Sequence, residues 1–443
     1  MAQREGSLDA PIRHPLGQDK EEFWDETKVQ QELERVFDIC HGCRRCFNLC
    51  QAFPTLFDLI DETDSMELED VDPAEFGEVV DNCYQCDLCY QTKCPYVPPH
   101  EFNVDFPHLM LRAKAVKFKK GESKLRDRLI TSTDMMGGLV GTPGIAQTAN
   151  FFNSSKAFRK TLQGVAGIHA DAPLPPYQSN TLNKRVGGTE PAQMEVKATA
   201  TTTGKVALFG TCYGNYNQPE LGEDLIKVFE HNGIPVTLVQ NVKCCGMPKY
   251  DLGDLATVEK LKDHNIPRLA AMVDEGWDIV TLIPSCTLMF KQELPLMYPE
   301  DPDVEKVKDA VFDPFEYLML RHREGLLQTD FQKPLGKVAW HVACHQRVQN
   351  IGMKTKDVLS LIPDTEVTPI ERCSGHDGTY TLKAERHEAA MKILRPVVSR
   401  VQQAEADYYS SDCAMAGRHV EHGMNDDSHA THPLTLLRIA YGL

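Results

Sequence analysis

Short apolar runs alternate with amphipathic stretches throughout the second half of the chain. Apolar positions have helical spacing in stretches such as 219–232, 255–275 and 382–404. Between them, strand-like runs occur at 206–209, 236–239, 279–283, 338–342, 366–368 and 407–409. Strands that alternate with helices predict parallel open sheets, in which the loops after the carboxyl ends of the strands line the ligand-binding crevice.

The first half of the chain has a different pattern. Val29, Leu33, Val36 and Phe37 have helical spacing, so we expect an amphipathic helix before residue 40. Residues 51–81 contain eleven acidic and no basic side chains. Such a run is typical of a solvated insertion, and it would also suit the docking of a basic partner.

A basic stretch followed by an apolar one lies in the middle of the chain. Residues 112–128 contain eight basic side chains against two acidic ones, and residues 135–152 are apolar but interrupted by Gly and Pro. This order suits contact with an anionic membrane surface, whereas a helix and loop packed on the protein is the alternative. Residues 171–203, with prolines near their start and threonines at their end, predict a linker.

The second half of the chain contains an internal repeat. The stretch 204–212, which ends at Cys212, matches 336–344, which ends at Cys344. The three residues 244–246 then match 373–375, and Cys286 matches Cys413. Three landmarks in the same order predict two homologous half-domains of about 120 residues each.

Composition places these patterns in a globular protein. Its 443 residues are 42% hydrophobic and 25% charged, which suits several folded domains. The net charge of −17 argues against nucleic acid as the main partner. Neither a signal peptide nor an uninterrupted apolar stretch of about 18 residues is visible, so we expect a cytoplasmic protein. In that reducing compartment, fifteen cysteines indicate metal ligands or redox chemistry rather than disulfides.

Eight of the cysteines form two groups near the N-terminus. The groups read Cys40-x2-Cys43-x2-Cys46-x3-Cys50 and Cys83-x2-Cys86-x2-Cys89-x4-Cys94-Pro95. Three closely spaced thiolates wrap one 4Fe-4S cubane, and the fourth ligates the other cluster. This rule predicts two 4Fe-4S clusters, one on Cys40, Cys43, Cys46 and Cys94 and the other on Cys83, Cys86, Cys89 and Cys50. Zinc is the alternative, although it commonly uses two separated Cys-x2-Cys pairs.

A second set of cysteines lies in the repeat. In the first half-domain, Cys212, Cys244, Cys245 and Cys286 each follow a predicted strand, so their thiols should meet in one crevice. They could bind a third iron-sulfur cluster, hold zinc, or act as a redox disulfide, although a bond between the adjacent Cys244 and Cys245 would be strained.

The second half-domain keeps fewer of these residues. Cys344, Cys373 and Cys413 remain, while Ser374 replaces the middle thiol. His345 or His376 could add a nitrogen ligand, and the alternative is an emptied duplicate that is retained for its fold. A hydrolytic dyad of Cys344 and His345 is not favoured, because adjacent side chains tend to point apart.

No cofactor motif for organic redox chemistry is visible. The stretch 210–214 follows a strand but lacks the Gly-x-Gly-x-x-Gly spacing of a dinucleotide site, and no phosphate-binding Gly-Lys-Ser/Thr loop occurs. We therefore expect that this chain does not oxidise an organic substrate by itself.

Several motifs together resemble a known family. They are the two N-terminal cysteine groups, the duplicated Cys, Cys-Cys-Gly, Cys pattern, and the stretches at 132–137, 175–177, 212–217, 225–228 and 432–435. The chain is similar to the C subunits of anaerobic glycerol-3-phosphate dehydrogenases, within the heterodisulfide-reductase-like cysteine-rich (CCG) iron-sulfur proteins. It departs from the family pattern at Ser374 and Ala416, and from heterodisulfide reductases at Met289.

The resemblance implies a function. It implies an iron-sulfur subunit that accepts electrons from a flavoprotein dehydrogenase and passes them to membrane quinone at the inner face of the cell membrane, with a protein acceptor as the other outlet. Two further hypotheses stay open: a ferredoxin-like reductase of a diiron peroxidase that docks on the acidic insertion, and a thiol-disulfide oxidoreductase that uses Cys244 or Cys245.

The expected fold is mixed, with an N-terminal helical dicluster ferredoxin-like domain followed by a duplicated α/β cysteine-rich domain with parallel sheets. The expected units are an N-terminal extension (1–39), the dicluster domain (40–111), the basic and apolar segment (112–170), the linker (171–203) and the two half-domains (204–335 and 336–443).

Overall fold

The structure of the protein is a computed structural model that describes residues 11–92 and 94–443. Residues 1–10 of the expected N-terminal extension lie outside the described residues. The remaining chain forms an N-terminal helical unit, a middle helical segment and two half-domains built on parallel sheets.

The N-terminal unit is helical. Its helices are α1 (Glu26–Cys43), α2 (Ala52–Asp61), α3 (Phe76–Asn82), α4 (Leu88–Thr92) and α5 (Phe106–Lys119). The side chain of Asp25 accepts hydrogen bonds from the backbone N–H groups of Thr27 and Lys28 and so caps α1. The residues predicted to form an amphipathic stripe are buried on α1, which extends as far as Cys43. The core of this unit is aromatic, with the rings of Phe53 and Phe106 4.6 Å apart.

The middle segment consists of short helices. They are α6 (Leu125–Ile130), α7 (Thr133–Val140), α8 (Ile145–Ser154), α9 (Lys156–Ala166) and α10 (Leu182–Val186). The expected boundary between residues 111 and 112 falls inside α5, so the N-terminal unit continues into the basic stretch without a break. The segment expected to be a linker contains α10, where Leu182 is fully buried in the core of the first half-domain.

The first half-domain is built on a parallel sheet. Among the described residues it has four strands, β1 (Val206–Phe209), β2 (Val236–Leu238), β3 (Asp278–Thr281) and β4 (Val311–Phe312), in the order β2-β1-β3-β4. The helices that connect and follow them are α11 (Cys212–Tyr216), α12 (Glu220–His231), α13 (Met247–Leu252), α14 (Leu255–Asp274), α15 (Pro284–Leu288), α16 (Leu294–Met297), α17 (Pro302–Ala310) and α18 (Pro314–Arg323). A π-helical turn at Met289–Glu293 joins α15 to α16.

The second half-domain repeats this plan. Its described strands are β5 (Gly336–His341), β6 (Thr365–Ile370) and β7 (Tyr408–Ser411), which pair in parallel in the order β6-β5-β7. Its helices are α19 (Cys344–Arg347), α20 (Lys354–Leu359), α21 (His387–Gln403), α22 (Ala414–Met424) and α23 (Pro433–Tyr441). The matching strand order confirms the predicted duplication and the mixed α/β class.

The two half-domains share one hydrophobic core. Buried residues of both, including Phe315 and Trp340, belong to the same apolar cluster, whereas most buried apolar residues of the N-terminal unit form a second cluster. The six predicted strands all form. The two-residue β4 was not predicted, because a segment so short has no measurable period.

Candidate metal centre

The first N-terminal cysteine group lies where α1 ends. Cys40 and Cys43 occupy its last turns, and Arg44, with a left-handed φ of 48°, turns the chain towards Cys46. Burial raises the pKa of the Cys40 thiol, and the neighbouring thiols of Cys94, Cys46 and Cys43 raise it further. The structure therefore brings together the four cysteines that the spacing rule assigns to one cluster.

The second group surrounds the loop between α3 and α4. Burial raises the pKa of Cys89, with further contributions from Cys46, Cys86, Cys83 and Cys50. Cys50 therefore lies with the second group rather than with its sequence neighbours. The interaction of Cys89 with Cys46 also shows that the two groups adjoin.

The backbone of the second loop is shaped to face an anion. Gln85 and Asp87 both have left-handed φ values, 53° and 59°, which non-glycine residues adopt rarely. Alternating conformations of this kind turn successive N–H groups into a concave surface that binds anionic groups, including iron-sulfur clusters. The loop and its sulfur donors fit a cluster in this respect.

The four cysteines of the first half-domain meet at the carboxyl edge of its sheet. Cys212 begins α11 after β1, Cys244 and Cys245 lie between β2 and α13, and Cys286 lies on α15 after β3. The Sγ atoms of Cys212 and Cys244 are 3.9 Å apart, and Cys245 interacts with both Cys244 and Cys286. The predicted convergence in one crevice therefore occurs, with three of the four residues buried.

Residues from outside the cysteine pattern complete the wall of this crevice. The N–H of Cys244 donates to the carboxylate of Asp134 on α7 at 2.5 Å, and burial and Cys244 raise the pKa of Asp134 to about 6. The hydroxyl of Thr133 lies near the thiols of Cys212 and Cys244 without a hydrogen bond to either. Tyr177, from the expected linker, lies near Cys212.

A buried asparagine fixes the loop that contains Cys244. The side chain of Asn265 accepts from the N–H of Lys243 at 2.8 Å and donates to the carbonyls of Lys243 and Cys244 at 3.2 and 3.0 Å. Sequence reasoning missed Asn265, Thr133 and Asp134. Only the stretch 132–137, noted as a family motif, marked two of them.

The cysteines of the second half-domain face the N-terminal unit. The hydroxyl of Tyr84 lies 3.1 Å from Cys373 Sγ. Burial raises the pKa of Cys86, and Cys344, Cys50 and Cys373 contribute to the increase. Cys373 and Cys344 therefore lie beside the second N-terminal cysteine group.

The last cysteine of this half-domain connects back to the first. Burial raises the pKa of Cys413 to about 11, and Cys286 is among the groups that contribute. Cys344 interacts with both Cys373 and Cys413. The fifteen thiols thus form one continuous series from Cys40, through the second half-domain, to Cys212.

Neither candidate histidine is available to the second half-domain's cysteines. Nε2 of His345 donates to the carbonyl of Gln85 at 3.1 Å, so Nδ1 accepts from the hydroxyl of Ser285 at 2.8 Å. His345 therefore joins all three units instead of offering a nitrogen to a metal. The ring of His376 packs 5.7 Å from that of His419, and burial alone lowers the pKa of His376, without a contribution from any thiol.

The donor sets contain sulfur and little else. In the part of the chain that the structure describes, no three His, Cys, Asp or Glu side chains stand close enough together to hold a single metal ion. The thiolates of a cubane bind at separate corners of the cube rather than around one ion. Buried thiolates also require a positive partner, because burial disfavours their charge. The composition and burial of the two N-terminal sets fit iron-sulfur clusters.

The basic stretch at 112–128 is engaged within the protein. Each of its eight basic side chains has a partner. Five form ion pairs: Lys114 with Asp251, Lys117 with Asp81, Lys120 with Glu26, and Lys124 and Arg126 with Glu385. Arg112 donates to the carbonyl of Phe23, and Lys119 and Arg128 lie over the rings of Trp24 and Phe118. Few of these charges remain to attract an anionic surface.

The apolar helices that follow are unusually exposed. Nine of the fifteen large exposed hydrophobic side chains among the described residues lie between 125 and 165. They include Leu139 on α7, Phe151 on α8 and Val165 on α9, which are 62%, 71% and 86% exposed. Within the described residues, no helix combines the length and apolar character needed to cross a bilayer.

Comparison with known proteins places this arrangement in a family. A family model described as a cysteine-rich domain (CCG) matches residues 206–291 and 338–417. The chain is 30% identical over 340 residues to the C subunit of the anaerobic glycerol-3-phosphate dehydrogenase of Escherichia coli, an alignment that covers 76% of this chain and 82% of that protein.

The chain is also similar to more distant proteins. The chain is 27% identical over 219 residues to the lactate utilization protein A of Bacillus pumilus, covering 47% of this chain and 87% of that protein. It is 24% identical over 397 residues to an uncharacterized iron-sulfur protein of Methanocaldococcus jannaschii, covering 86% of this chain and 67% of that protein. Because one matched range lies within each half-domain and the first alignment covers most of both proteins, the chain belongs to the same family as the C subunit of the anaerobic glycerol-3-phosphate dehydrogenase.

Proposed function

We propose that the protein is the iron-sulfur electron-transfer subunit of a dehydrogenase, taking electrons from a flavoprotein partner and delivering them to quinone. The observation that supports this most strongly is the unbroken series of thiols from Cys40 to Cys212. Electron transfer along a chain of redox groups requires each group to lie near the next, whereas thiols that are buried only for packing need not form such a series.

The residues that would hold the groups follow from the proximities above. Two 4Fe-4S clusters would be held by Cys40, Cys43, Cys46 and Cys94, and by Cys83, Cys86, Cys89 and Cys50, in an N-terminal ferredoxin-like domain. A third cluster would be held by Cys212, Cys244, Cys245 and Cys286. Cys344, Cys373 and Cys413 would offer weaker, incomplete ligation between them.

A bound cluster supplies reversible one-electron chemistry at a potential set by hydrogen bonds, charge and solvent exposure. The protein's own residues control these surroundings. Asn265 and Asp134 fix the backbone around Cys244, and Tyr84 caps the thiol of Cys373. The helices of both half-domains exclude water from Cys244, Cys245 and Cys286.

Electrons would leave the protein at the exposed apolar face of helices α7 to α9. Thr133 and Asp134 touch the first half-domain's cysteines from one side of α7, while Met135 and Leu139 are exposed on its other side. The crevice therefore lies one helix away from an apolar surface. Such a surface suits the boundary of a membrane and the apolar quinone dissolved in it.

A second candidate function rests on the acidic insertion. Its members Asp61 and Glu67 contact Arg44 and His41 beside the first cysteine group. A basic protein partner, such as a diiron peroxidase, could dock there and exchange electrons directly. Binding that weakens with salt and survives loss of the apolar face would favour this candidate.

The quinone outlet can be tested with one double variant. Dithionite-reduced protein should be reoxidised by menadione, and Met135→Glu with Leu139→Glu should slow this about tenfold if about 1.4 kcal/mol of quinone binding is lost. Val196→Glu, another exposed apolar position, is the matched control and should leave the rate unchanged. Equal rates in both variants, at equal iron content, would exclude this face as the outlet.

The thiol-disulfide alternative needs a different test. Cys244→Ser with Cys245→Ser should lower the iron content by about four per chain if these thiols are cluster ligands. Unchanged iron with lost activity would instead assign them a direct role as redox thiols.

A further inference from the structure

A short antiparallel bridge attaches the chain after α9 to the second half-domain. The N–H of His169 donates to the carbonyl of Leu382 at 2.8 Å, and the N–H of Ala384 donates to the carbonyl of Gly167 at 2.9 Å. Helix α9 ends at Ala166, directly before this bridge. The bridge therefore anchors the exposed apolar helices α8 and α9 at their carboxyl-terminal end.

Two histidine rings stack across this bridge. The ring centroids of His169 and His387 are 3.8 Å apart, and the ring planes are inclined by 12°. His387 is buried at the start of α21 and His169 is half-buried. If both rings were protonated, two like charges would lie in contact, which strongly disfavours the doubly charged form. At most one of the two rings can therefore be charged while the bridge is closed.

Hydrogen bonds within the bridge favour a neutral His169. The N–H of Asp171 donates to Nδ1 of His169 at 3.2 Å, whereas Nδ1 of His387 donates to the carbonyl of Thr381 at 2.9 Å. Nδ1 of His169 can accept a bond only while it has no proton of its own. Protonation of this ring therefore breaks a bond that holds the segment in place.

The charged surroundings add to this preference. Burial lowers the pKa of His169, and His387, Arg159 and His422 lower it further, whereas Asp171 opposes the shift. One carboxylate thus faces several basic groups, so a second proton on the stacked pair is not compensated. The other titratable or charged groups of the packed elements are His419 on α22, Lys383 in the bridge, Lys124 and Arg126, which pair with Glu385, Arg386, which pairs with Glu78, and Lys392, which pairs with Glu388.

We propose that His169 and His387 form a pH-sensitive latch, which holds the end of α9 against the second half-domain at neutral pH and releases it on acidification. In the opened segment both imidazoles are solvated and titrate near the ordinary histidine value of about 6.5. Opening therefore takes up one proton more than the closed bridge holds. The released helices α8 and α9 are then free to move relative to the half-domain. The latch is independent of the proposed electron-transfer function.

Hydrogen–deuterium exchange of the full-length protein with its clusters intact tests the latch. Protection of the amides in 167–172 and 382–386, corrected for the pH dependence of chemical exchange, reports on local opening. It should fall about tenfold for each pH unit below about 6.5, because one proton is linked to opening. The amides of β5 report on unfolding of the whole half-domain and should keep their protection over the same range.

Two variants remove the titrating groups one at a time. His169→Phe keeps an aromatic ring over His387 but cannot take up a proton, so protection of the bridge should lose its pH dependence. His387→Gln keeps a donor for the carbonyl of Thr381 and should have the same effect. His429→Gln alters a histidine whose side chain is 80% exposed, and this matched control should keep the tenfold change.

Three results would each overturn the proposal. The first is protection of 167–172 that does not change with pH in the unmodified protein. The second is the same pH dependence in His169→Phe as in the unmodified protein. The third is a parallel loss of protection in β5, which would assign the opening to unfolding of the half-domain.

Discussion

At the residue scale, the loop that contains Cys244 is held by one side chain that belongs to no cysteine motif. Asn265, 1% exposed, makes three hydrogen bonds to the backbone of Lys243 and Cys244. The position of the thiols therefore depends on a polar side chain of α14, more than 20 residues away in sequence.

Replacing this side chain should destabilise the first half-domain. Asn265→Ala leaves the buried carbonyl of Cys244 and the partly buried backbone groups of Lys243 without this partner, and a buried group that stays unsatisfied costs about 1–3 kcal/mol. We expect a lower free energy of unfolding in urea titrations, together with partial loss of iron. Lys260→Ala, on the exposed side of the same helix, should change neither quantity. Equal stability of the two variants would contradict the role assigned to Asn265.

Which cysteines lie near one another could be predicted from the sequence better than which other residues surround them. Regular Cys-x2-Cys spacing and strand-loop positions identify thiols because these signals are local. The contact of Tyr84 with Cys373 has no local signal, since it depends on how the N-terminal unit packs against the second half-domain. The same reason explains why the sequence left His345 open as a possible metal ligand, whereas in the structure it bonds Gln85 and Ser285.

At the element scale, the middle segment combines one buried and one exposed apolar side. Gly137 of α7 packs so closely on Tyr216 that an added Cβ would lie 2.3 Å from its ring. The same helix exposes Leu139. Composition alone could not show that the basic stretch at 112–128 is paired within the protein. Its partners Asp81, Asp251 and Glu385 are brought next to it only by the tertiary fold.

The exposed helices α8 and α9 should determine any binding to membranes. Phe151→Glu with Phe152→Glu places charges on the apolar face beside the exposed Lys156 and Lys160, which opposes insertion among lipid chains. We expect the unmodified protein, but not this variant, to sediment with anionic liposomes at low salt. Val196→Glu serves as the control. If the unmodified protein does not sediment, the membrane part of the proposal fails.

At the scale of the whole molecule, a buried ionic network connects the chain's units. Arg13 pairs with Asp87 and Asp105 of the N-terminal unit at 2.5 and 2.9 Å, and lies 3.5 Å from Glu293 of the first half-domain. Nε2 of His108 lies 3.2 Å from Glu293. The network therefore fixes the N-terminal cysteine groups relative to the repeat.

Removing the guanidinium of Arg13 should lower the free energy of unfolding. Arg13→Met leaves the buried carboxylates of Asp87 and Glu293 and the partly exposed carboxylate of Asp105 without this partner, and loss of one partner of a buried ion pair typically destabilises a protein by about 3–5 kcal/mol. We expect a correspondingly lower urea midpoint. Lys28→Met removes an ion pair with Glu22 that is largely exposed, and its effect should stay within about 1 kcal/mol. Similar midpoints for the two variants would show that Arg13 is not central to the assembly.

The free energy of unfolding should decrease as the pH falls below the ordinary pKa of histidine. Burial lowers the pKa of His341 and of His432 from 6.5 to about 4. Between pH 6.5 and 4, these two histidines are therefore protonated in the unfolded chain but neutral in the folded chain. Their contribution is complete above the unfolded pKa and is lost as the pH falls towards 4, at about 1.4 kcal/mol per pH unit for each histidine.

Urea unfolding between pH 4.5 and 8 would measure this dependence. His432→Gln should reduce the slope between pH 6 and 4.5 by about 1.4 kcal/mol per pH unit. A flat profile, or one that rises on acidification, would contradict the assignment of these histidines as buried and neutral.

The most direct test of the proposed electron path is the content of iron and acid-labile sulfide per chain after anaerobic preparation, with EPR of the reduced protein. We predict about twelve of each, because two N-terminal clusters and one in the first half-domain each hold four irons. About eight would remove the first half-domain's site from the electron path. Stoichiometric zinc in place of iron would contradict the central claim.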